Sequence, residues 1–244
     1  MSRKRLDLLL VELNLFESRG RAQAAIAAGC VRVDGEVAQK ASDKIDPAAR
    51  IEAEPAHPWV SRAALKLEGA LALWPIPVEG RTVLDVGAST GGFTEICLSR
   101  GAAKVYAVDV GRDQLHASLR TNPRVVNLQA TDARTLDGSV VPDPVDLVVC
   151  DASFIGLAKV LPAALRLAEA GADLVALIKP QFEVGPSGVG KGGLVKNGAL
   201  QQQAVEAVRG FVESAGWQVQ STAPSSILGG NGNREYLLWG RKAG

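Results

Sequence analysis

The sequence is poor in aromatic residues, poor in cysteine and without an excess of either charge. Aromatic residues make up 5% of its 244 residues, and 27 Lys and Arg stand against 26 Asp and Glu. Because the net charge is only +1, a nucleic-acid site must come from local clusters of basic residues. The three cysteines, Cys30, Cys97 and Cys150, lie far apart and show neither metal-ligand nor disulfide spacing. We therefore expect a cytoplasmic protein that binds no metal.

A long uncharged apolar segment is also missing. The N-terminus is basic, but Asp7 and Glu12 interrupt the apolar run that follows it, and no later stretch approaches 18 uncharged apolar residues. A signal peptide or a membrane span needs such a segment, so we expect neither, and no membrane partner. The composition, 47% hydrophobic and 22% charged, is typical of a globular protein with a core.

The first part of the chain reads as two helices followed by short strands. Leucines at helical spacing predict a helix over residues 3–15. Ser18 is the predicted N-cap of a second helix, 19–28, which Gly29 ends. Residues 31–37 have the pattern of a strand, an Asp-Gly turn and a second strand.

Basic residues of this segment collect at its predicted helix starts and first strand, whereas its acidic residues fall late. The resulting candidate RNA-binding face comprises Arg3, Lys4, Arg5, Arg19, Arg21 and Arg32. The pattern resembles the α-L RNA-binding module first known from the fourth protein of the small ribosomal subunit, through Arg5-Leu6-Asp7, Ser18-Arg19 with Ala22, and Gly29-x-Val31-x-Val33-Asp34-Gly35. The resemblance implies contacts to the phosphates of folded RNA. The alternative is a small helical cap whose arginines are ordinary solvated charge.

Pro55-Ala56-His57-Pro58 breaks both helix and strand and marks a joint. We expect an RNA-binding domain of residues 1–55, a linker of residues 56–60 and a second domain of residues 61–244. The second domain is expected to open with a helix over residues 61–73.

From residue 82 onwards, apolar strand candidates alternate with helix candidates. Strands are predicted at residues 82–86, 104–108, 125–129, 145–150, 172–178, 217–222 and 235–239. Helices are predicted at residues 92–100, 113–120, 157–169 and 197–215. This alternation predicts an α/β fold, a Rossmann-like sheet with helices on both faces, preceded by the small α+β domain. The last strand is expected to insert antiparallel.

The first of these strands runs into a glycine-rich turn and a helix start, residues 82–93. Glycines let the backbone approach a ligand closely, and the helix N-terminus offers free amides. One strand later, Asp109 is well placed to accept hydrogen bonds from both hydroxyls of a ribose. A dinucleotide site would have glycine where Ser89 stands. Asp85 suits the cationic sulfonium and amino group of S-adenosyl-L-methionine better than a pyrophosphate.

Asp132 follows the third strand and is placed to meet the adenine amino group, with an ordinary helix N-cap as the alternative. The predicted cofactor site therefore consists of Asp85, Gly87, Ser89, Gly91, Gly92, Phe93, Asp109, Asp132 and Asp151. We accordingly expect a methyltransferase that uses S-adenosyl-L-methionine.

Three acceptors of the methyl group can be compared. Methylation of a base amino group typically uses an Asn-Pro-Pro-Tyr-like loop after the fourth strand, where this sequence has Asp151-Ala152-Ser153-Phe154. Carbon-5 methylation of a pyrimidine needs a cysteine nucleophile, and Cys150 lies on a strand where packing is its expected role. A ribose hydroxyl calls for a base and charged groups, and Lys179 and Asp151 both end strands at the carboxyl edge of the sheet. The alternative for this pair is an ion pair without chemistry.

Four segments resemble, in order, those of the TlyA family, which is sometimes labelled hemolysin and has an FtsJ-type methyltransferase half. They are PWVSRAALKL (58–67), DVGASTGGFT (85–94), CDASFI (150–155) and IKPQFE (178–183). The resemblance implies 2′-O-methylation of cytidine in ribosomal RNA by a tetrad of Lys66, Asp151, Lys179 and Glu235. It makes Lys179 the base, Lys66 and Asp151 the groups that position the hydroxyl and the methyl donor, and Glu235 a group that orients Lys179 or the ribose. Ala63-Ala64 departs from the two glycines common in the family.

Rival activities are a base-directed RNA methyltransferase, a membrane-active hemolysin and a catalytically inactive RNA-binding assembly factor. The absence of an amphipathic or membrane-spanning segment argues against the second, and the complete tetrad against the third.

Residues 185–191 resemble a nucleoside-triphosphate-binding loop, but Gly192 stands where that loop needs Ser or Thr. We expect residues 188–193 to form a mobile loop in which Lys191 touches RNA phosphate. Ribosomal RNA or ribosomal subunits are the expected partners.

Overall fold

The computed structural model describes residues 3–244 of a chain that divides into two units. Unit 1 is Met1–Pro58 and unit 2 is Trp59–Gly244. The division falls inside the segment predicted as a linker, residues 56–60. Within residues 3–244, no helix has both the length and the apolar character that crossing a bilayer requires.

The described residues of unit 1, from residue 3 onwards, form two helices and five short strands. In chain order they are β1 (Lys4–Arg5), α1 (Leu6–Glu12), α2 (Arg19–Ala27), β2 (Val31–Val33), β3 (Glu36–Val37), β4 (Lys44–Ile45) and β5 (Ile51–Ala53). Strand β2 lies between β3 and β5 in an antiparallel sheet, and β1 pairs antiparallel with β4.

Local signals in the sequence account for the second helix and the hairpin of unit 1. The Ser18 side chain accepts a hydrogen bond from the Arg21 backbone amide at 3.4 Å, as an N-cap does. Gly29 follows α2 with a φ of 73°. Asp34 and Gly35 have φ values of 51° and 87°, the pair of positive angles that a tight turn between β2 and β3 requires.

The first helix is shorter than the leucine spacing predicts. Helix α1 begins only at Leu6, because Lys4 and Arg5 form β1. It ends at Glu12, and Leu13 beyond it is 45% exposed. The spacing of apolar side chains indicates which residues face a core. It does not indicate where the backbone pairs with a strand that is distant in the sequence.

Unit 2 is built on a seven-stranded sheet. Its strands are β6 (Thr82–Val86), β7 (Lys104–Asp109), β8 (Val125–Gln129), β9 (Val145–Cys150), β10 (Ala168–Ile178), β11 (Trp217–Pro224) and β12 (Tyr236–Lys242). All seven predicted strands are present, and their order in the sheet is β11-β12-β10-β9-β6-β7-β8. The strands from β10 to β8 pair in parallel, and β12 inserts antiparallel between β10 and β11, as expected.

The helices of unit 2 are more broken than predicted. They are α3 (Ala64–Leu73), α4 (Gly92–Ser99), α5 (Ala117–Arg120), α6 (Leu157–Val160), α7 (Pro162–Leu167), α8 (Pro180–Glu183) and α9 (Gly198–Ser214). Helix α3 starts at Ala64 rather than at Ser61, because Ser61 opens a tight turn in which its carbonyl accepts from the Ala64 amide at 3.2 Å. Pro162 divides the predicted helix 157–169 into α6 and α7, and a proline is favoured at the first helical position.

Two hydrophobic clusters cover the two faces of the sheet. On one face, Leu84 packs in a cluster with α6, α7 and α9 residues such as Val208. On the other face, Val83 packs with α3 and α4 residues such as Leu67 and Ile96. Adjacent residues of a strand point to opposite faces, so the apolar run of β6 serves both clusters.

Strand β6 is the point at which the winding of the sheet reverses. From β6 the chain proceeds outward through β7 to β8, and then returns to place β9 on the other side of β6. The crevice beyond the carboxyl ends of such strands is the usual ligand site of an open α/β sheet.

Candidate active site

The four residues of the predicted tetrad lie together in unit 2. Lys66 is on α3, Asp151 directly follows β9, Lys179 directly follows β10, and Glu235 directly precedes β12. Lys179 Nζ lies 2.6 Å from Asp151 Oδ1, and Lys66 Nζ lies 3.5 Å from Asp151 Oδ2. Glu235 Oε2 lies 2.8 Å from Lys66 Nζ. Two lysines and two carboxylates thus alternate along one chain of contacts.

Three side chains of the tetrad are buried, so each of their charges needs a partner of opposite charge. Lys66, Lys179 and Glu235 are 7%, 6% and 3% exposed. A buried charge is tolerated when an opposite charge and hydrogen bonds accompany it. Glu235 contacts Lys66 and not Lys179, so of the two roles that the resemblance allowed it, orientation of Lys179 has no direct contact to support it.

Lys179 has two further oxygen partners on the loop that follows β9. Its Nζ donates to the Asp151 backbone carbonyl at 2.9 Å and to Ser153 Oγ at 2.7 Å. The main chain, the Asp151 carboxylate and a hydroxyl therefore surround the amine.

A cleft of about 730 Å³ opens beside the carboxyl ends of β6, β7 and β9, and its size suits a nucleoside-sized ligand. Its walls are formed in part by Gly87, Ser89, Asp109, Asp132, Asp151 and Ser153. Asp109 accepts hydrogen bonds from the Ser89 amide at 2.8 Å and the Gly111 amide at 2.7 Å. A carboxylate offers about four lone-pair positions, so two remain for neighbouring hydroxyls.

The glycines of the turn have different duties. Gly87, with a φ of 83°, forms cleft wall, and a Cβ there would lie 2.7 Å from Ala152 Cα. A Cβ on Gly91 would strike Leu115 and Leu119 instead, and Gly91 is absent from the cleft walls. Gly91 thus meets a packing requirement, and the cofactor contact predicted for it stays a prediction.

Gly92 and Phe93 begin α4. A Cβ on Gly92 would lie 2.9 Å from the Ala64 amide nitrogen, so this glycine lets α4 approach α3. Phe93 is only 2% exposed and belongs to the core, although both residues contribute to the wall of a second cleft.

Asp85 is not on the surface of either cleft. It is fully buried, Thr94 Oγ1 donates to its Oδ2 at 2.7 Å, and burial raises the pKa of its carboxyl to about 7. The side chain turns inward beneath the turn, and its direct contact to a cationic ligand stays a prediction. The sequence places Asp85 at the end of the strand but does not show which face it takes.

Asp132 is a helix N-cap that also lines the larger cleft, and its contact to adenine stays a prediction. It caps a short 3-10 helix, Ala133–Thr135, by accepting from the Arg134 amide, and it pairs with the Arg134 side chain at 2.6 Å. Its contacts with Arg134 hold the pKa of its carboxyl below the usual range. The same residue lines the 730 Å³ cleft, beside Ala133 and Arg134.

A second cleft, of about 330 Å³, lies against α3 and the glycine-rich turn. Lys66 and Arg62 are in its wall. The residues common to both clefts are Gly87, Ser89, Asp151 and Ser153. Asp151 and Ser153 therefore stand where the two clefts meet, whereas Lys179 lies behind them and is absent from both walls.

Cys150 is unsuited to nucleophilic catalysis. It is fully buried on β9, and burial raises the pKa of its thiol to about 12. The thiolate is the reactive form of cysteine, so this environment disfavours carbon-5 methylation through Cys150. Among residues 3–244, no group of three His, Cys, Asp or Glu side chains has the arrangement of a metal site.

The basic residues of unit 1 are partly engaged within that unit. Buried Asp7 receives hydrogen bonds from Arg5, Arg19 and Gln23 at 2.8–3.0 Å. These donors, Arg5 first, hold the pKa of the Asp7 carboxyl well below its usual range. Lys4 pairs with Glu12 at 2.6 Å.

The other predicted RNA contacts fall into two groups. Arg32 donates to the Gly35 carbonyl at 3.0 Å and so supports the turn between β2 and β3, while Arg21 is half-buried on α2. Arg3 and, in unit 2, Lys191 are exposed.

Sequence reasoning missed two residues of the site. Ser153, two residues after Asp151, holds Lys179, as described above. Glu183 accepts from the Leu157 amide at 2.9 Å and anchors the start of α6, and burial raises the pKa of its carboxyl. Both occur inside segments quoted for the family resemblance, but only the fold shows that they meet the β9 loop.

Two family models match the chain. The model of the FtsJ-like methyltransferase matches residues 59–242, and the model of the S4 domain matches residues 4–51. The chain belongs to the FtsJ-like methyltransferase family. Membership accounts for the sheet with its antiparallel β12 and for the position of the clefts at the carboxyl ends of the strands.

Similar proteins carry two kinds of name. The 16S/23S rRNA (cytidine-2′-O)-methyltransferase TlyA of Mycobacterium tuberculosis is 48% identical over 97% of this chain and 89% of its own length. Hemolysin A of Brachyspira hyodysenteriae is 38% identical over 96% of this chain and 98% of its own length. A solved structure of a candidate hemolysin from Streptococcus thermophilus is 37% identical, with a TM-score of 0.78 over 100% of this chain and 90% of that one. The expected TlyA-type FtsJ methyltransferase with an S4 domain is thus confirmed.

Proposed function

We propose that this FtsJ-like methyltransferase transfers the methyl group of S-adenosyl-L-methionine to the 2′-hydroxyl of a cytidine ribose in ribosomal RNA. The observation that carries the proposal is the Lys179–Asp151 contact of 2.6 Å at the junction of two clefts. A poorly acidic hydroxyl needs a base close to its oxygen, and an amine in this position can take up its proton. The name of the Mycobacterium tuberculosis relative supports the same acceptor.

The larger cleft fits the cofactor. The free lone pairs of Asp109 match a ribose diol, Asp132 stands beside the wall for the adenine, and Gly87 leaves its wall without a side chain. S-adenosyl-L-methionine, when bound, supplies an electrophilic methyl group on a positively charged sulfur. The ribosyl acceptor would occupy the smaller cleft, beside Lys66.

The tetrad residues divide the work of the transfer. Lys179 receives the proton that the 2′-hydroxyl loses. Asp151 stabilises the resulting ammonium and, from its place in both clefts, helps to align the hydroxyl. Lys66 presents a positive charge to the developing oxyanion, and Glu235 fixes Lys66 at 2.8 Å. Positioning by these groups converts a slow bimolecular displacement into a reaction within one complex.

The S4 domain supports a structured RNA as the substrate. We propose that exposed basic side chains of unit 1, with Lys191 of unit 2, contact RNA phosphates, which would give binding that weakens with salt. A ribosomal RNA substrate also places the enzyme in the cytoplasm, where ribosomes are.

The decisive experiment incubates the full chain with methyl-labelled cofactor and separately purified small and large ribosomal subunits. We expect labelled RNA in which one phosphodiester next to the modified nucleotide resists alkaline cleavage, because alkaline cleavage requires a free 2′-hydroxyl. Label that appears on a base, with every phosphodiester cleaved, would contradict the proposal and favour a base-directed enzyme. The same assay with Lys179→Met, which lacks the proposed base, is expected to lose the label. Lys104→Met is the matched control, because Lys104 begins β7 and so lies at the amino ends of the parallel strands, away from the clefts.

A further inference from the structure

Ser153 stands between Lys179 and the clefts. Its Oγ lies 2.7 Å from Lys179 Nζ. Ser153 is exposed and lines both clefts, whereas Lys179 is 6% exposed and lines neither. A molecule in either cleft therefore meets the Ser153 hydroxyl before it meets the Lys179 amine.

The other two oxygen groups around Lys179 accept hydrogen bonds and hold no proton of their own to donate. The Asp151 carbonyl and the Asp151 carboxylate are acceptors only. A hydroxyl can accept one proton while it donates another. In its neutral form, the Lys179 amine would keep one N–H group for the Asp151 carbonyl at 2.9 Å, a second for the neighbouring carboxylate at 2.6 Å, and one lone pair for Ser153 at 2.7 Å.

We propose that Ser153 relays the proton of the ribose 2′-hydroxyl to Lys179. The inference rests on the proposed function and adds a catalytic residue to the tetrad. In one concerted step, the 2′-O–H bond breaks and its proton binds Ser153 Oγ, while the original Ser153 proton passes to the lone pair of Lys179 Nζ. The electron pair left on the 2′-oxygen forms the bond to the methyl carbon, and the pair of the broken carbon–sulfur bond remains on sulfur. Ser153 ends neutral and Lys179 ends as an ammonium.

The local structure holds Ser153 in this place. Asp151 is tied to β6 through its amide, which donates to the Val86 carbonyl at 3.2 Å. After Ser153, Glu183 anchors the loop at the Leu157 amide. A short loop fixed at both ends keeps the hydroxyl within reach of the amine.

The test compares Ser153→Ala and Ser153→Thr with the full-length wild type under single-turnover conditions. Removal of the relay is expected to lower the methylation rate about 10- to 100-fold, and threonine, which keeps the hydroxyl, is expected to restore it to within about threefold. The cofactor dissociation constant, measured by calorimetry, is expected to stay within about twofold for both variants. Ser214→Ala is the matched control, because Ser214 is an exposed serine at the end of α9.

A proton inventory gives a second measurement. For the wild type, the rate plotted against the deuterium fraction of the solvent is expected to curve, because two protons move together. A linear plot, or a Ser153→Ala rate equal to that of wild type, would overturn the relay and favour direct transfer to Lys179. A rate loss matched by lost cofactor affinity would overturn it too, by making Ser153 a cofactor contact. A wild type that methylates neither ribosomal subunit would instead refute the proposed function.

Discussion

Each unit of the molecule contains a compact cluster of opposite charges, and the two clusters differ in which of their charges are buried. In unit 1 the buried member is an anion, Asp7, and its partners Arg5 and Arg19 remain 41% and 54% exposed. In unit 2 the buried members include the cations Lys66 and Lys179. Arginines that face solvent keep spare N–H groups for phosphate, whereas lysines that face inward can act only on what enters the clefts.

The difference shows why charge composition is a weak guide to function here. The unit 2 cluster has no net charge and the unit 1 cluster has one positive charge in excess, yet the net charge of the whole chain is only +1. What separates a structural cluster from a reactive one is which partner is desolvated and whether a cleft reaches it. Substitutions in each cluster should therefore have different kinds of consequence.

The largest effect is expected from Lys179→Met, which keeps the length of the side chain and removes the base. Methylation should fall about 1,000-fold. Cofactor affinity should remain, because Lys179 lines neither cleft. Single-turnover methylation and calorimetric titration measure the two quantities. Retention of more than a tenth of the wild-type rate would show that another group takes the proton, and Lys104→Met should behave as wild type.

The next effect is expected from Glu235→Gln, which removes the nearer charged partner of Lys66, at 2.8 Å, and leaves Asp151 at 3.5 Å. Lys66 would then be held less firmly beside the acceptor, and because misplacement of a catalytic charge by about 1 Å can cost about 100-fold, the rate should fall about 10- to 100-fold. The same assay with Glu206→Gln, an exposed position on α9, gives the control. An unchanged rate would reduce the Lys66–Glu235 pair to a structural contact.

In unit 1, Asp7→Asn should lower local stability without a direct effect on the chemical step. The expected loss at pH 7 is about 1–2 kcal/mol, because the arginine partners are half-exposed and can rehydrate. The pKa of Asp7 is depressed in the folded state, so its contribution is complete above about pH 4, the ordinary carboxyl value. The contribution is lost as the pH falls below that value toward the depressed one.

Hydrogen exchange of α1 and α2 amides in the full chain measures this difference, with β6 and β9 amides as an internal reference. The difference in amide protection between wild type and Asp7→Asn should be largest at pH 7 and smaller near pH 3. A gap that grows at low pH would contradict the assignment of Asp7 as a charged anchor.

The smallest effect is expected from Lys191→Ala, which removes one exposed charge. RNA affinity should fall about threefold, and the slope of log affinity against log salt should decrease by about one unit, as for a lost phosphate contact. Filter binding over a range of salt concentrations measures both. An unchanged slope would place Lys191 away from the RNA.

The sequence predicted the framework of unit 2 well because long apolar runs bounded by glycine are strong local signals. All seven strands follow from them, and so does the meeting of Asp151 and Lys179, since both residues end parallel strands. Lys66 and Glu235 could be assigned only through family resemblance, because neither follows a parallel strand.

Features that depend on tertiary contacts could not be predicted from the sequence. Three such features depend on residues that are distant in the sequence. They are the burial of the Asp85 side chain, the packing of Gly91 against two leucines, and the pairing of Lys4 and Arg5 with β4. Ser153 was quoted within a motif, but only its distance from Lys179 distinguishes it from its neighbours.

The reversal of winding at β6 divides the sheet into two halves that contribute different residues to the clefts. Asp109 and Asp132 follow β7 and β8 on one side, and Asp151, Lys179 and Glu235 adjoin β9, β10 and β12 on the other. The carboxylates proposed to hold the donor thus lie between β6 and β9, and the proposed acceptor residues, apart from Lys66 on α3, follow β9. Asp151 lines both clefts and so connects the two groups. On this proposal, substitutions after β9 would alter the choice of acceptor while Asp109 and Asp132 continued to hold the same donor.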